Sequence, residues 1–284
     1  MTVESRSGLL HSRPSSLFTV LGRRYRYSLI ILRALVITDF KLRYQSSVLG
    51  YIWGLLKPLA VFTILYMVFV NLLKIGTSIP HYALYLLLGI VIWGFFGEAT
   101  SGGVSSLVAR ADLLRKISFP RYVVVLSVCA SALISFGLNM VVVACFFAIA
   151  RVAPTADVLW LPLLLVELAA LSVSFALFLS GLFVRYRDVS YIWEVVLQAG
   201  FYATPIIYPL SLVPATVARF LLLNPMAQII QDARYILVTK DTETVTQAFG
   251  TPWARAIPAG IVLVLSVGSV AFFRRRSPTF AEEA

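Results

Sequence analysis

The sequence predicts an all-α integral membrane protein with six transmembrane helices. Of its 284 residues, 60% are apolar and only 13% are charged, whereas soluble domains contain roughly 45–50% apolar and about 25% charged residues. The charges are also unevenly placed, and between them lie six nearly uncharged segments, each close to the ~20 residues that cross a bilayer. So little polar material cannot coat a soluble globule of this size, which argues against a water-soluble enzyme.

The six predicted spans contain few charges, and the basic residue Lys57 lies near the start of the first. Three spans contain an acid: Glu98 in the second, Glu167 in the fourth and Glu194 in the fifth. A charge at mid-depth costs at least ~2.5–3.5 kcal/mol, so these acids are expected to pair functionally, for example in a proton relay, or to lie near water. The predicted spans are residues 51–73, 82–103, 122–150, 158–184, 191–209 and 256–273.

Two further apolar segments are not expected to span the membrane. Residues 26–44 are apolar but interrupted by charged residues, which favours a helix lying on the inner surface. Residues 210–223 are too short to cross and are broken by Pro214, so a re-entrant or interfacial element is predicted after the fifth span. The predicted cytosolic tails are residues 1–25 and 276–284.

The positive charges follow the alternation that six spans create. The N-terminal segment, the loops after the second and fourth spans and the segment after the sixth together contain 17 Lys and Arg residues, against six on the opposite side. Because positive residues concentrate on the cytoplasmic side, both termini are predicted to be inside. This topology accounts for the net charge of +11, with some attraction to anionic lipid headgroups, and no role in binding nucleic acid is expected.

The sequence lacks the motifs of nucleotide and metal chemistry. No Gly-Lys dipeptide occurs, so there is no P-loop for ATP, and the two histidines, His11 and His81, have no metal-ligand spacing. The inner loops between spans offer only the isolated acids Asp112 and Asp188, whereas a membrane glycosyltransferase usually needs paired acids for a metal-bound sugar nucleotide. We therefore expect no cofactor or metal on this chain, and the sequence favours transport over catalysis.

Four segments carry patterns that follow one another in a fixed order. The first, residues 39–58, is a charged helix end, a polar turn and the start of the first span, and the second, residues 112–121, is a short helix stopped by Pro120. The third is Arg185-Tyr-Arg-Asp188, and the fourth is Thr204-Pro-Ile-Ile-Tyr-Pro209, followed later by Leu223-Asn-Pro225 and a helix-like stretch through Arg234. Together these elements resemble the permease subunit of type-2 ABC exporters, in the branch that exports lipid-linked polysaccharides such as O antigen, teichoic acid or galactan.

The resemblance implies a transmembrane domain over residues 26–275. It implies a homodimer of six-span permeases in the bacterial plasma membrane, served by two copies of a separate ATPase that holds ATP and Mg²⁺. In such a protein, residues 26–44 are the interfacial helix, residues 112–121 are the coupling helix that docks on the ATPase, and residues 210–223 are the re-entrant outer gate. The implied ATPase contacts, for which an ordinary positive-inside loop is the alternative, are Asp112, Leu113, Leu114, Arg115, Lys116, Phe119, Arg121, Arg185, Arg187 and Asp188.

Aromatic and polar side chains recur at helical spacing in the first, second and fifth spans, which places each set on one face of its helix. Sugars stack on aromatic rings, so these faces are candidates to line a path for a polysaccharide. The alternatives are aromatic belts at the membrane surface and packing between helices. The candidate lining residues are Phe62, Tyr66, Phe69, Tyr85, Trp93, Phe96, Gln198, Tyr202 and Tyr208.

Three cations, Lys41, Arg43 and Lys57, are predicted at the inner mouth of the path. Cationic side chains bind phosphate oxygens strongly, so these three are candidates to bind a diphosphate headgroup, or alternatively anionic phospholipids. The predicted function is export of a polyprenyl-diphosphate-linked cell-envelope polysaccharide, driven by ATP hydrolysis on the partner. A type-2 ABC exporter of a small lipid or drug and a stand-alone secondary transporter are the alternatives.

Overall fold

The protein is described by a computed structural model, which covers residues 17–45, 50, 52–74, 76, 79–117, 119–152 and 155–277. Within the first helix the described side chains are those of residues 26–39 and 41. All regular secondary structure in these ranges is helical. The α-helices are α1 (Leu17–Gln45), α2 (Ile52–Tyr66), α3 (Tyr82–Ala109), α4 (Ala111–Lys116), α5 (Tyr122–Ile149), α6 (Leu161–Phe183), α7 (Val189–Ala203), α8 (Ala215–Leu222), α9 (Pro225–Leu237), α10 (Val245–Phe249) and α11 (Ala256–Arg276).

Five helical segments of the described chain are long and apolar enough to cross a membrane. Three of them extend α-helices: a π-helical turn follows α2, and 3₁₀ turns precede α6 and α11. At 1.5 Å per residue, a 28-residue segment is ~42 Å long, more than the ~30 Å of a hydrocarbon core. The segments are Ile52–Leu72, Tyr82–Ala109, Tyr122–Ile149, Ala156–Phe183 and Pro252–Arg276, and they coincide with the first, second, third, fourth and sixth predicted spans.

The fifth predicted span, residues 191–209, is not one continuous helix. Helix α7 has 15 residues and ends at Ala203, so at 1.5 Å per residue it is only ~22 Å long. Thr204 has an extended backbone because the residue before a proline is disfavoured in the helical region, and Pro205 follows. Residues 204–207 are a buried turn. The apolar sequence therefore continues beyond the end of the helix: the predicted fifth span is helical only as far as Ala203, and six membrane crossings stay a prediction.

The N-terminal segment is also longer than predicted. Helix α1 is continuous over 29 residues, so it begins at Leu17, within the segment predicted as a cytosolic tail. It packs along α5, and its described part is mostly apolar, with charged residues at Arg26, Arg33, Asp39 and Lys41. The predicted tail residues 1–16 and 278–284 lie outside the described residues.

Helix α3 forms the centre of the molecule. It packs against α2, α5, α6, α7 and α9, and its residues from Leu84 to Ile92 are all buried. A helix that is apolar on all sides lies in a protein core or in a membrane, and over these residues α3 is covered on all sides by its neighbouring helices. Helices α2 and α11, in contrast, expose many apolar side chains, as expected of surfaces that face lipid or another protein.

The segment between α7 and α11 folds into short elements at one end of the bundle. The predicted element at residues 210–223 consists of a 3₁₀ turn (Leu210–Leu212) and the eight-residue α8, both too short to cross a membrane, as predicted. They form a small apolar core with α10. Helix α9 begins at Pro225 because the Asn224 side chain accepts a hydrogen bond from the Met226 N–H at 3.0 Å, a typical N-cap, and it confirms the helical stretch predicted through Arg234.

Candidate functional site

A groove of about 650 Å³ lies between α2, α3, α5 and α7. Its space comes from small residues: an added Cβ at Gly94 of α3 would meet no atom within 4 Å. Asn139 of α5 fixes one wall, because its amide donates hydrogen bonds to the carbonyls of Ser135 at 2.9 Å and of Gly54 on α2 at 3.4 Å.

The walls of this groove are aromatic with a few polar groups. Trp53, Trp93 and Phe201 contribute rings, and Trp93 and Phe201 meet edge to face with centroids 6.3 Å apart. Lys57 and Glu98 are the ionisable side chains among its lining residues. Apolar walls with a small number of polar groups are typical of sites that bind small molecules or lipids, so the groove suits a ligand that is partly apolar and partly polar.

The predicted lining residues divide into exposed and buried sets. Trp93 lines the groove. Gln198 and Tyr202 are exposed on α7, on the helix that forms one of its walls, and Tyr208 is half-buried, with its hydroxyl donating to the Ala203 carbonyl at 3.0 Å. These four keep surface that a substrate could contact.

The other predicted lining residues pack inside the chain. Phe62, Tyr85 and Phe96 are buried. The Phe62 ring meets Phe146 of α5 edge to face at 5.5 Å, and Phe96 packs similarly against Phe175 of α6 at 5.6 Å. Tyr66 and Phe69 are partly buried against the same core. For Phe62, Tyr85 and Phe96 the structure supports helix packing, the alternative interpretation, because burial leaves them no surface for a ligand.

Helix α4 presents charges at the end of the bundle where α3 ends and α5 begins. Asp112, Arg115 and Lys116 are exposed, whereas Leu114 and Phe119 are half-buried and pack against the core. The acid in the first turn and the bases in the last turn complement the helix dipole. The helix is thus attached by its apolar residues and displays its charged ones.

Helix α4 is shorter than the helix predicted over residues 112–121, because the backbone of Ile117 is already extended. The other predicted ATPase contacts lie on α4, just after it, or in the turn between α6 and α7. Leu113 and Arg121 are half-buried. The antiparallel course of α5 and α6 brings the turn between α6 and α7 to the same end, where Arg185, Arg187 and Asp188 are exposed.

A partly buried polar cluster joins this end to α1. Arg110, between α3 and α4, forms an ion pair with Asp39 of α1 and donates a hydrogen bond to the Ser127 hydroxyl of α5 at 3.0 Å. Ser127 Oγ lies 3.3 Å from Asp39 Oδ2.

The cations predicted at the inner mouth lie in different places. Lys57 lines the groove, and Lys41 is exposed on α1. The Arg43 side chain lies outside the described residues.

Sequence reasoning missed Arg234, the most heavily bonded side chain of the short elements. It is fully buried and donates to the carbonyls of Tyr85 at 3.0 Å, Pro205 at 2.6 Å and Ile206 at 2.6 Å, and to Gln231 Oε1 at 3.0 Å. Its guanidinium carbon also lies 3.4 Å from the centroid of the Tyr85 ring. Arg234 therefore ties α9 to α3 and to the buried turn after α7. The sequence contains no local signal for these partners.

The chain is similar in sequence to known proteins over most of its length. The chain is 28% identical over 201 residues to an O-antigen export system permease protein RfbA of Klebsiella pneumoniae, covering 70% of this chain and 77% of that protein. A second RfbA of Klebsiella pneumoniae is 26% identical over 247 residues, covering 86% and 91% of the two chains. RfbA of Myxococcus xanthus is 27% identical over 263 residues, covering 91% and 96%.

The model of the ABC-2 type transporter family matches residues 31–238. The match begins within α1 and ends just after α9, so it includes the groove, α4 and the buried turn after α7. Together with the five long apolar helices, this match shows a multi-pass membrane protein that belongs to the ABC-2 type transporter family.

Proposed function

We propose that this chain is the membrane permease of an ATP-driven exporter of a cell-envelope polysaccharide. The observation that carries the proposal is the set of relatives named O-antigen export system permeases, which align with 70 to 91% of the chain. The aromatic groove between α2, α3, α5 and α7 supports it, because sugar rings pack on aromatic side chains and a polymer needs a path without tight specific contacts.

The energy comes from a partner, since the sequence holds no P-loop. Two copies of a separate ATPase, each holding ATP and Mg²⁺, dock at the end of the bundle that carries α4. The charged side chains of α4 and of the turn between α6 and α7 meet the ATPase there. The apolar attachment of α4 to the core through Leu114 and Phe119 passes its displacement to α3 and α5.

The transport path lies between two copies of this chain. Helices α2 and α7 expose most of their side chains and both border the groove, so pairing of these faces would place two grooves opposite each other. Helix α7 and the segment 204–209 together make the sixth crossing, the latter in a non-helical form. With 17 positive charges on one side and six on the other, both termini lie in the cytoplasm of a bacterial plasma membrane.

The substrate enters with its lipid end first. A polyprenyl diphosphate carries two phosphates that Lys57 at the groove, with Lys41 on α1, can bind through charge-assisted hydrogen bonds. The glycan follows along Trp53, Trp93 and the exposed face of α7. A smaller lipid or drug would use the same architecture, and the presence of Glu98 in the groove keeps proton-coupled transport as the second candidate.

Reconstitution tests the proposal. The permease is co-expressed with its ATPase, purified, inserted into proteoliposomes and supplied with the lipid-linked polymer of its own bacterium. We expect translocation that requires ATP and is lost when the P-loop lysine of the ATPase is replaced by alanine. Translocation without the ATPase and abolished by Glu98→Gln would instead establish a secondary transporter. Accumulation of the lipid-linked polymer in the cytoplasm of depleted cells identifies the glycan.

A further inference from the structure

A second cavity, of about 290 Å³, shares no lining residue with the groove. It is formed by α9, α10 and the 3₁₀ turns before α6 and α11. Helix α5, ~42 Å long at 1.5 Å per residue, separates this end of the molecule from α4. In the proposed topology the cavity therefore opens on the extracytoplasmic side.

The walls of this cavity are held in place by contacts between three segments. Lys240 forms an ion pair with Asp157 of the 3₁₀ turn, and its ammonium lies 4.1 Å from the centroid of the Tyr235 ring on α9. The Thr155 hydroxyl donates to the Ile236 carbonyl at 3.4 Å. These contacts link the loop after α5 to α9.

Asp232 places a buried carboxylate at this cavity. The residue is 6% exposed; its Oδ2 accepts a hydrogen bond from Gln228 Nε2 at 2.7 Å and forms an ion pair with Arg255 Nε at 3.3 Å. Within the described part of the chain, no hydrogen bond reaches Oδ1. Arg255 also lines the cavity, and its side chain is 35% exposed, although its Nη2 is buried. The site thus offers an acceptor on Asp232 and a partly exposed guanidinium on Arg255.

The chemistry of the lining selects the class of ligand. A hydroxyl group both donates and accepts, so adjacent hydroxyls of one molecule can satisfy Asp232 and Arg255 together. A phosphate offers mainly acceptors, whereas Oδ1 of Asp232 needs a donor, so a phosphate fits this lining carboxylate poorly. Trp160 and Tyr235 add aromatic surface, which packs against the C–H face of a sugar ring. The volume lies just below the ~300–1,000 Å³ of sites for drug-sized ligands, which suits a short saccharide.

We propose that this cavity is a saccharide-binding site, in which Asp232 and Arg255 bind neighbouring sugar hydroxyls and Trp160 packs against the ring. The site is separate from the transport groove and contacts the polymer as it emerges. The inference rests on the proposed function for the source of the glycan, but not for the geometry of the site.

Binding is measured on the purified permease in lipid nanodiscs, without ATPase or ATP. The probe is a size-fractionated set of oligosaccharides released by mild acid from the surface polysaccharide of the same bacterium, followed by saturation-transfer NMR. We expect millimolar or tighter binding that inorganic phosphate does not compete with. Trp160→Ala should weaken it by about tenfold, the equivalent of ~1.4 kcal/mol, because it removes the ring surface.

Trp253→Ala is the matched control. Trp253 lies at the same end of the molecule and is 82% exposed, against 56% for Trp160, but it does not line the cavity, so its loss should leave binding unchanged. Asp232→Asn keeps the size of the side chain and should also weaken binding by about tenfold, since hydrogen bonds to a charged group are strong. If thermal unfolding shows that the Asp232→Asn protein does not fold, saccharide binding by the Trp160→Ala variant tests the proposal alone, because Trp160 is exposed.

Three results would overturn the inference: no oligosaccharide binding by the unsubstituted protein, equal effects of Trp160→Ala and Trp253→Ala, or displacement of the oligosaccharide by phosphate. ATP-driven export with no such binding would remove this site and leave the proposed function intact. Saccharide binding in a protein that exports no polymer would support this site and contradict the proposed function.

Discussion

Arg234 shows how one buried cation can organise a region without a carboxylate as its partner. Burying a charge is costly unless it is hydrogen-bonded, and here three backbone carbonyls, the Gln231 side chain and the face of Tyr85 surround the guanidinium. The carbonyls of Pro205 and Ile206 need this partner, because their turn is buried and lies outside a helix. Gly89 permits the approach, since an added Cβ would lie 2.6 Å from the nearer guanidinium nitrogen.

Removing this guanidinium should destabilise the fold more than any surface change. Arg234→Met keeps much of the side-chain volume but leaves several buried carbonyls without donors, at ~1–3 kcal/mol each. We therefore expect a much lower midpoint of thermal unfolding in detergent. Arg219→Met is the control, because Arg219 is exposed and makes one hydrogen bond to a carbonyl, that of Ala248. Similar midpoints for the two variants would contradict the anchoring role.

At the scale of elements, α4 combines apolar attachment with displayed charge. Reversing the charges with Arg115→Glu and Lys116→Glu should leave the half-buried Leu114 and Phe119 in place while repelling the surface that α4 meets. We expect normal insertion into the membrane, loss of polysaccharide export and loss of permease-stimulated ATP hydrolysis. Export assays in cells, together with ATPase assays on the purified complex, provide the measurement.

The control for α4 must carry the same change of net charge on the same side. Arg274→Glu with Arg275→Glu meets this need, because both residues are exposed at the end of α11 and belong to neither α4 nor the turn between α6 and α7. Equal loss of export in the two double variants would show that only the general positive charge of the inner side matters, and would remove the coupling role.

Helix α7 is the element whose exposed face should limit the passage of the glycan. Tyr202→Ala removes a ring that is 61% exposed beside the groove, and we expect slower export with unchanged assembly of the ATPase complex. Phe178→Ala is the control, since Phe178 is 40% exposed on α6 and packs on Phe272 of α11, outside the groove. The rate of appearance of surface polysaccharide after induction measures both, and equal rates for Tyr202→Ala and the unsubstituted protein would contradict the lining role.

The difference between the predicted and observed elements has a physical cause. Long uncharged segments identify five helices because bilayer thickness sets their length. The same criterion fails at α7, where a buried turn is as apolar as the helix before it, although Pro205 marked the boundary. Helical spacing correctly grouped Phe62, Tyr85 and Phe96 on helix faces, but periodicity does not reveal which neighbour covers a face. The partners of Arg234 are up to 149 residues away in sequence, and nothing local announces them.

At the scale of the whole molecule, the exposed faces of the outer helices have different causes. The face of α11 consists of apolar residues such as Leu263 and Val264 and can be covered by lipid. Helix α7 is too short to cross alone, and its exposed residues include the polar Glu194 and Gln198. A lipid environment penalises such side chains, so a second copy of the chain is the better partner for α7.

Cysteine cross-linking distinguishes these two faces. In a Cys145→Ser background, which removes the exposed cysteine and leaves the buried Cys129, Val195→Cys on α7 and Leu263→Cys on α11 are matched at 66% and 65% exposure. Because the proposed dimer brings two copies of α7 together, a short bifunctional maleimide should convert most of the Val195→Cys protein in membranes to a dimer on a denaturing gel. The Leu263→Cys protein should stay monomeric under the same conditions. Dimers of the α11 variant alone would reverse the assignment of the two faces, and equal yields from both would indicate random collision in the membrane and contradict a path between paired α7 helices.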